Sequence, residues 1–247
     1  MSPEALMPDR SRVMPPRLGL LAWATGTVLA MQAVNMGVFD AANLAGLPAF
    51  GLFAAGVVLL WRQLPAHYPH PRFGSCNGVT LFRAGLGASL LTPLLSGDAV
   101  QAAWGGWAVA LVALFALLLD GVDGWLARRQ GLVSGFGARF DMEIDAALAL
   151  MLALHAFADG MGGVVVLTLG VMRYVFVAAS WVLPWMAAPL PDKFGRKVVC
   201  VIQIAALIAL QVPILGSGAA LGIAWGAVAA LLWSFGRDTL WLWRHRS

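Results

Sequence analysis

The chain has 247 residues, 60% of them hydrophobic and 11% charged, where a soluble domain averages about 25% charged. This excludes a soluble globular protein and points to an all-α, polytopic membrane protein. The formal net charge of +4 comes from basic residues scattered at the ends of apolar segments, so it does not mark a nucleic-acid binder.

Residues 1–17 form a polar, Pro-containing tail with Arg10, Arg12 and Arg17. An apolar span follows at 18–38. It lacks a clear small-x-small cleavage site and another apolar span comes at once, so it reads as a retained helix rather than a signal peptide. Further spans are expected at 46–61, 79–96, 104–121, 139–159, 163–185, 198–215 and 219–236. Each is near the ~20 residues needed to cross hydrocarbon. The linker 63–76 has three prolines and reads as a poor helix over most of its length. Basic residues alternate cleanly between connections: Arg62 and Arg72; Arg128, Arg129 and Arg139; Lys193, Arg196 and Lys197; and a C-terminal tail with Arg237, Arg244 and Arg246. The positive-inside rule then puts both termini and the 120–145 segment in the cytoplasm.

That segment is DGVDGWLARRQGLVSGFGARFDMEID. It holds five of the 12 acidic residues of the chain. Asp120 and Asp123 are spaced i, i+3, and Asp141 and Asp145 i, i+4, so each pair shares a helix face. Gly131, Gly135 and Gly137 between them allow a turn, and two antiparallel helices could bring all four carboxylates together. Such a cluster between apolar runs resists desolvation unless something positive joins it. Carboxylate oxygens suit Mg²⁺ or Mn²⁺. His67, His70, His155 and His245 have no metal-ligand spacing, and Cys76 and Cys200 form no CxxC motif; these read as packing or interfacial residues.

The pattern Asp120-x-x-Asp123-Gly124-x-x-Ala127-Arg128, eight residues, Gly137-x-x-x-Asp141-x-x-x-Asp145 resembles the signature of the CDP-alcohol phosphatidyltransferase family. The resemblance implies an enzyme that moves a substituted phosphoryl group from a CDP-linked donor, CDP-diacylglycerol by family habit, to an alcohol, with release of CMP, in phospholipid synthesis. It implies two divalent ions held by Asp120, Asp123, Asp141 and Asp145. Asp141 would bridge them, and Asp145 would act as general base. Gly124, Ala127 and Gly137 would leave room for the nucleotide, and Arg128 would pair with the pyrophosphate. Arg129, outside the pattern, reads as an anchor.

Upstream, Asn77-x-x-Thr80-x-x-Arg83 resembles a spacing found in many family members, which implies roles around the CDP group or in ordering the site. A helix N-cap followed by a snorkelling Arg explains the same residues. Family members are commonly built on six transmembrane helices, which residues 66–247 would supply; residues 1–65 would add a tail and two further helices. Many members carry an amphipathic helix before the core, which this sequence lacks or keeps only in short form. Members are often dimers, so a homodimer is an expectation.

For the acceptor or lipid phosphate the candidates are Arg173, inside an apolar span, and Lys193, Arg196 and Lys197 on a basic connection. Topological anchoring also accounts for the last three. Members that use glycerol phosphate or inositol phosphate often have Lys directly after the last aspartate; here Ala146 stands there. Glu143 has no assigned role. Two other functions remain open. An intramembrane prenyltransferase would use Asp141 and Asp145 but leaves Gly124-x-x-Ala127-Arg128 unexplained. A divalent-cation transporter would need its acids mid-span.

Overall fold

The computed structural model describes residues 16–41, 44–96, 105–188, 190 and 194–245. Among these residues there is no strand. The helices are α1 (Pro16–Gly37), α2 (Leu47–His67), α3 (Gly74–Ser89), α4 (Leu91–Ser96), α5 (Gly106–Gln130), α6 (Gly135–Ala158), α7 (Val166–Val182), α8 (Phe194–Ala209) and α9 (Ser217–Arg244), with a 3-10 turn at Pro184–Ala187. Leu90 alone separates α3 from α4. Pro93 removes the amide that would bond the carbonyl of Ser89, which explains the break. The buried His155 sets its Nε2 2.7 Å from the Leu90 carbonyl oxygen there.

Eight long helices match the eight expected spans, but their limits differ where it matters. Among the described residues, five stretches are long and apolar enough to cross a membrane: Pro16–Gly37, Leu47–His67, Gly74–Ser96, Gly106–Gln130 and Ser217–Arg244. α7 and α8 are shorter, at 17 and 16 residues. α6 carries Arg139, Asp141, Glu143 and Asp145 in its first half. The spans that depart from the membrane ideal are thus one that bears half of the acidic cluster and the two that follow it. α2 also runs six residues past its expected end, through Pro65, so much of the linker read as non-helical is helix. Large apolar side chains such as Leu29, Leu118 and Trp181 are exposed, as lipid-facing positions are in a protein whose outer solvent is hydrocarbon.

α3 is the axis of the molecule, packed by α1, α2, α5 and α6. Two apolar clusters meet on it. One joins α1, α2 and α6 through Leu20, Met31, Phe53, Leu81 and Phe140. The other runs through α5 to α9 with Leu86, Ala113, Leu152, Leu169, Leu207 and Leu231. α1 approaches so closely that a Cβ on Gly78 would lie 2.1 Å from the Trp23 ring, and one on Gly85 would lie 2.2 Å from Thr27 Cγ2. Small residues let membrane helices trade side-chain volume for close packing.

This close approach generates a stability prediction. Gly78→Ala, which forces Trp23 aside, is expected to cost about 1–3 kcal/mol. Gly56→Ala on α2, whose Cβ meets nothing within 4 Å, leaves stability unchanged or slightly raised. Thermal unfolding of the purified variants in detergent checks the difference.

Candidate active site

The turn between α5 and α6 is built by local rules. Gly131 takes φ +66° and caps α5 in the left-handed conformation, which glycine adopts at no steric cost. The amides of Gly131 and Leu132 bond the carbonyls of Arg128 and Ala127 at 3.4 and 3.0 Å, and Leu132 is buried. Ser134, in extended conformation, caps α6 by accepting from the Gly137 amide at 3.1 Å. Gly135 and Gly137 lie inside the first turn of α6 rather than in the turn itself.

Four residues between helices make α5 and α6 antiparallel, yet the two make little contact with each other. α3 inserts between them and packs on both. The acids therefore do not simply face one another across a helix pair; they converge on a side chain from the third helix. Arg83 is 1% exposed. Its Nη1 reaches Asp123 Oδ2 at 2.8 Å and Asp141 Oδ1 at 2.5 Å. Its Nη2 reaches Asp120 Oδ1 at 2.9 Å and also pairs with Asp145. Its Nε donates to the Ala116 carbonyl at 3.1 Å. A guanidinium has five N–H donors, and here five oxygens meet them. Of the two readings of Arg83, the snorkelling one is overturned: the side chain is buried among acids and does not reach for an interface. The N-cap reading fails as well, because α3 starts at Gly74 and Asn77 sits inside it.

The four carboxylates are not equivalent. Asp123 is closed in, with its side chain 6% exposed, whereas those of Asp120, Asp141 and Asp145 are 33%, 34% and 27% exposed. Asp123 is further held by Thr80 Oγ1 at 2.9 Å and by the Gly124 amide at 2.7 Å. Oxygens of Asp120, Asp141 and Asp145 all lie within 4.8 Å of one another. Four carboxylates against one guanidinium leave three negative charges uncompensated. Hard oxygen donors in that number fit Mg²⁺ or Mn²⁺, and Asp120, Asp141 and Asp145 are the residues that could hold such an ion. The four acids lie ~9–15 Å along their helices from the turn, at 1.5 Å per residue. They are deeper than the expected span ends because α5 continues to Gln130. The extra turns carry Arg128, Arg129 and Arg139 and so extend the helices beyond their apolar lengths.

The remaining sequence candidates fall in three groups. Near the acids, Arg128 is exposed and folds back along α5, its guanidinium 3.5 Å from where a Gly124 Cβ would stand. Ala127 is partly exposed. Gly137 abuts α3: a Cβ there would meet Asn77 Oδ1 at 3.3 Å. Asn77 is buried, and its amide donates to Tyr68 Oη at 2.8 Å and to the Phe73 carbonyl. Burial pushes the Tyr68 hydroxyl up to about 12, so it stays protonated and donates to the Arg72 and Phe73 carbonyls. In the second group, Arg173 pairs with Glu143 across α6 and α7, and Arg196 Nε bonds Asp238 Oδ2 at 2.9 Å across α8 and α9. Both cations are engaged within the protein, and Glu143 gains the partner that sequence reading did not assign. In the third, Lys197 is exposed, and Lys193 lies outside the described residues.

Residues 73–233 match the family model for CDP-alcohol phosphatidyltransferase, and the chain belongs to that family, a class of transferases acting on CDP-alcohols. No curated protein and no solved structure matches the chain significantly. The match begins at the residue before α3, so α1 and α2 precede it.

Arg83 is the residue whose weight sequence reading missed. The signal was present: an Arg inside an apolar stretch needs a counter-charge, and the chain has one large acidic cluster. Arg83→Gln is expected to cost the metal-free protein about 3–5 kcal/mol, the penalty for leaving buried charge unpaired. Mn²⁺ should recover more stability in this variant than in the wild type. Unfolding temperatures in EDTA and in Mn²⁺ measure both effects.

Proposed function

We propose that this protein transfers a phosphatidyl group from a CDP-linked lipid, CDP-diacylglycerol in the first instance, to an alcohol acceptor with release of CMP. The observation that carries this reading is the convergence of Asp120, Asp123, Asp141 and Asp145, three of them open to the outside, in a chain of the CDP-alcohol phosphatidyltransferase family. Divalent ions held by Asp120, Asp141 and Asp145, with Asp123 fixing the frame behind them, would neutralise the pyrophosphate and stabilise the departing phosphate.

The chain's own residues do the rest. Asp145 accepts the proton of the acceptor hydroxyl. The oxygen so freed attacks the phosphorus distal to cytidine, the bond from that phosphorus to the bridging oxygen breaks, and CMP leaves with the electron pair. Arg128, exposed beside Gly124, pairs with the pyrophosphate as it arrives. Gly124 and Ala127 keep the α5 surface low enough for the nucleotide. Thr80 and Asn77 act one step back: Thr80 orients Asp123, and Asn77 seats α3 against Gly137, so Gly137 serves helix packing beneath the nucleotide. Arg83 keeps the four acids together before the ions and substrate arrive.

The acceptor is placed on the α7–α8 side, where Lys197 is exposed and where Arg173 and Arg196 would have to exchange Glu143 and Asp238 for a phosphate. Ala146 is buried, so no lysine reaches the site from that position, which favours an acceptor without its own phosphate. Residues 66–247, which begin at the last two residues of α2, would make up the catalytic unit, with α1 and the rest of α2 as an added brace. The helix ends on the site's side bear Arg62, Arg128, Arg129 and Arg139, and the connection before α3 bears Arg72, which supports a cytoplasmic active site.

Purified protein with Mn²⁺, CDP-diacylglycerol and a panel of alcohols should release CMP and form new lipids detectable by mass. Asp145→Asn should lose at least ~10²-fold in turnover, the lower end for a lost general base, while still binding the CDP substrate. Release of pyrophosphate from a prenyl donor, or Mn²⁺ flux in proteoliposomes without CMP release, would favour the other two functions. Arg128→Ala should weaken CDP-substrate binding by roughly tenfold, about 1.4 kcal/mol, with Mn²⁺ affinity little changed; calorimetry on both ligands separates the two.

A further inference from the structure

A cavity of about 940 Å³ lies between α2, α3 and α6, at the upper end of the ~300–1,000 Å³ typical of ligand sites. Its walls are apolar, with Phe53, Leu60, Leu81, Phe140, Ile144 and Leu148. Its lining runs from Leu52 to His67 on α2 and from Gly135 to Met151 on α6, roughly 23 Å at 1.5 Å per residue. Neither Arg83 nor any of the four aspartates lines it. Leu148 packs by Gly87 on the α3–α6 seam, and the cavity shares no lining residue with the transfer site, so the two are separate.

Its polarity is concentrated at one end. Gln63 and His67 from the last turns of α2, and Arg139 from α6, stand at that mouth. His70 Nε2 lies 3.2 Å from the Val133 carbonyl oxygen and ties these two helix ends together. Arg139 is exposed and makes no ion pair among the described residues. The N-terminal end of α6 adds the positive pole of its dipole. Glu143, also on the wall, has its charge offset by Arg173. A long hydrocarbon slot with a cationic mouth, set in membrane-crossing helices, has the shape and charge to receive an amphiphile with a negative head.

We infer that this groove holds one resident anionic glycerophospholipid, with an acyl chain between α2 and α6 and its phosphate against Arg139. The lipid is not the donor substrate. α2, which precedes the family-matched region, supplies one wall of the groove. The added helix therefore has a structural role, since it and the lipid together close the outer side of α3.

Native mass spectrometry of the full-length protein, purified and then placed in bilayers of phosphatidylcholine with phosphatidylglycerol, tests this. The wild type should retain one phosphatidylglycerol in preference to phosphatidylcholine. Gly56→Trp should lose most of that lipid, because Gly56 lines the groove and a side chain there enters open space. Arg139→Gln should cut the preference for the anionic lipid roughly fivefold, the worth of about 1 kcal/mol for one Arg near a charged lipid surface. Should Gly56→Trp not fold, the surface variant Arg139→Gln carries the test alone. No retained lipid in the wild type, equal retention in Gly56→Trp, or a preference untouched by Arg139→Gln overturns the proposal. So does a bound species that is a CDP-linked lipid lost on adding acceptor, or a second copy of the chain seated in the groove.

Discussion

The structure depends on one buried cation. Arg83 is almost wholly enclosed and faces four carboxylates from two other helices. An isolated charge at that depth costs several kcal/mol even after relaxation, and four acids without it would repel one another. Each makes the other tolerable. The cost is met only because α3 stands between α5 and α6, so that both helices can aim their acids at it. The charge balance is also left incomplete: the guanidinium answers one of four negative charges and leaves the rest to whatever the site recruits.

That requirement explains why α3 is packed so tightly. A helix that carries the central cation must not slide or rotate by even one residue, since a turn of about 100° would carry Arg83 away from its partners. Gly78 and Gly85 let α1 seat against α3 through Trp23 and Thr27. Asn77 anchors the start of α3 to Tyr68 and Phe73, and Gly137 brings α6 against Asn77. These contacts touch no substrate, yet they hold the angle from which Arg83 enters the cluster. They also connect α1, which lies outside the family match, directly to the first helix of the matched region.

Function follows from the asymmetry within the cluster. Asp123 is spent on Arg83, Thr80 and its own helix. Asp120, Asp141 and Asp145 stay partly open. The division leaves one acid fixing the frame and three with oxygens open to the outside. The open acids come from α5, an apolar helix long enough to span, and from α6, which carries four charged residues in its first half.

Much of this was legible in the chain itself. Spans show in hydropathy because a helix must be apolar over the bilayer thickness. The acid pairs show because i, i+3 and i, i+4 spacing is a local property of a helix, and the glycine-containing stretch between them predicted the turn. What the sequence by itself determined was therefore the helices, the paired faces and the family pattern. The tertiary structure alone decided which cation those faces surround. Arg83 lies between 37 residues (Asp120) and 62 residues (Asp145) from the acids it meets, and a lone Arg in an apolar stretch looks the same locally whether it snorkels or is buried. The pairings Arg173–Glu143 and Arg196–Asp238, 30 and 42 residues apart, were hidden for the same reason: charge pairing across helices is set by packing, and packing joins residues that no local spacing relates.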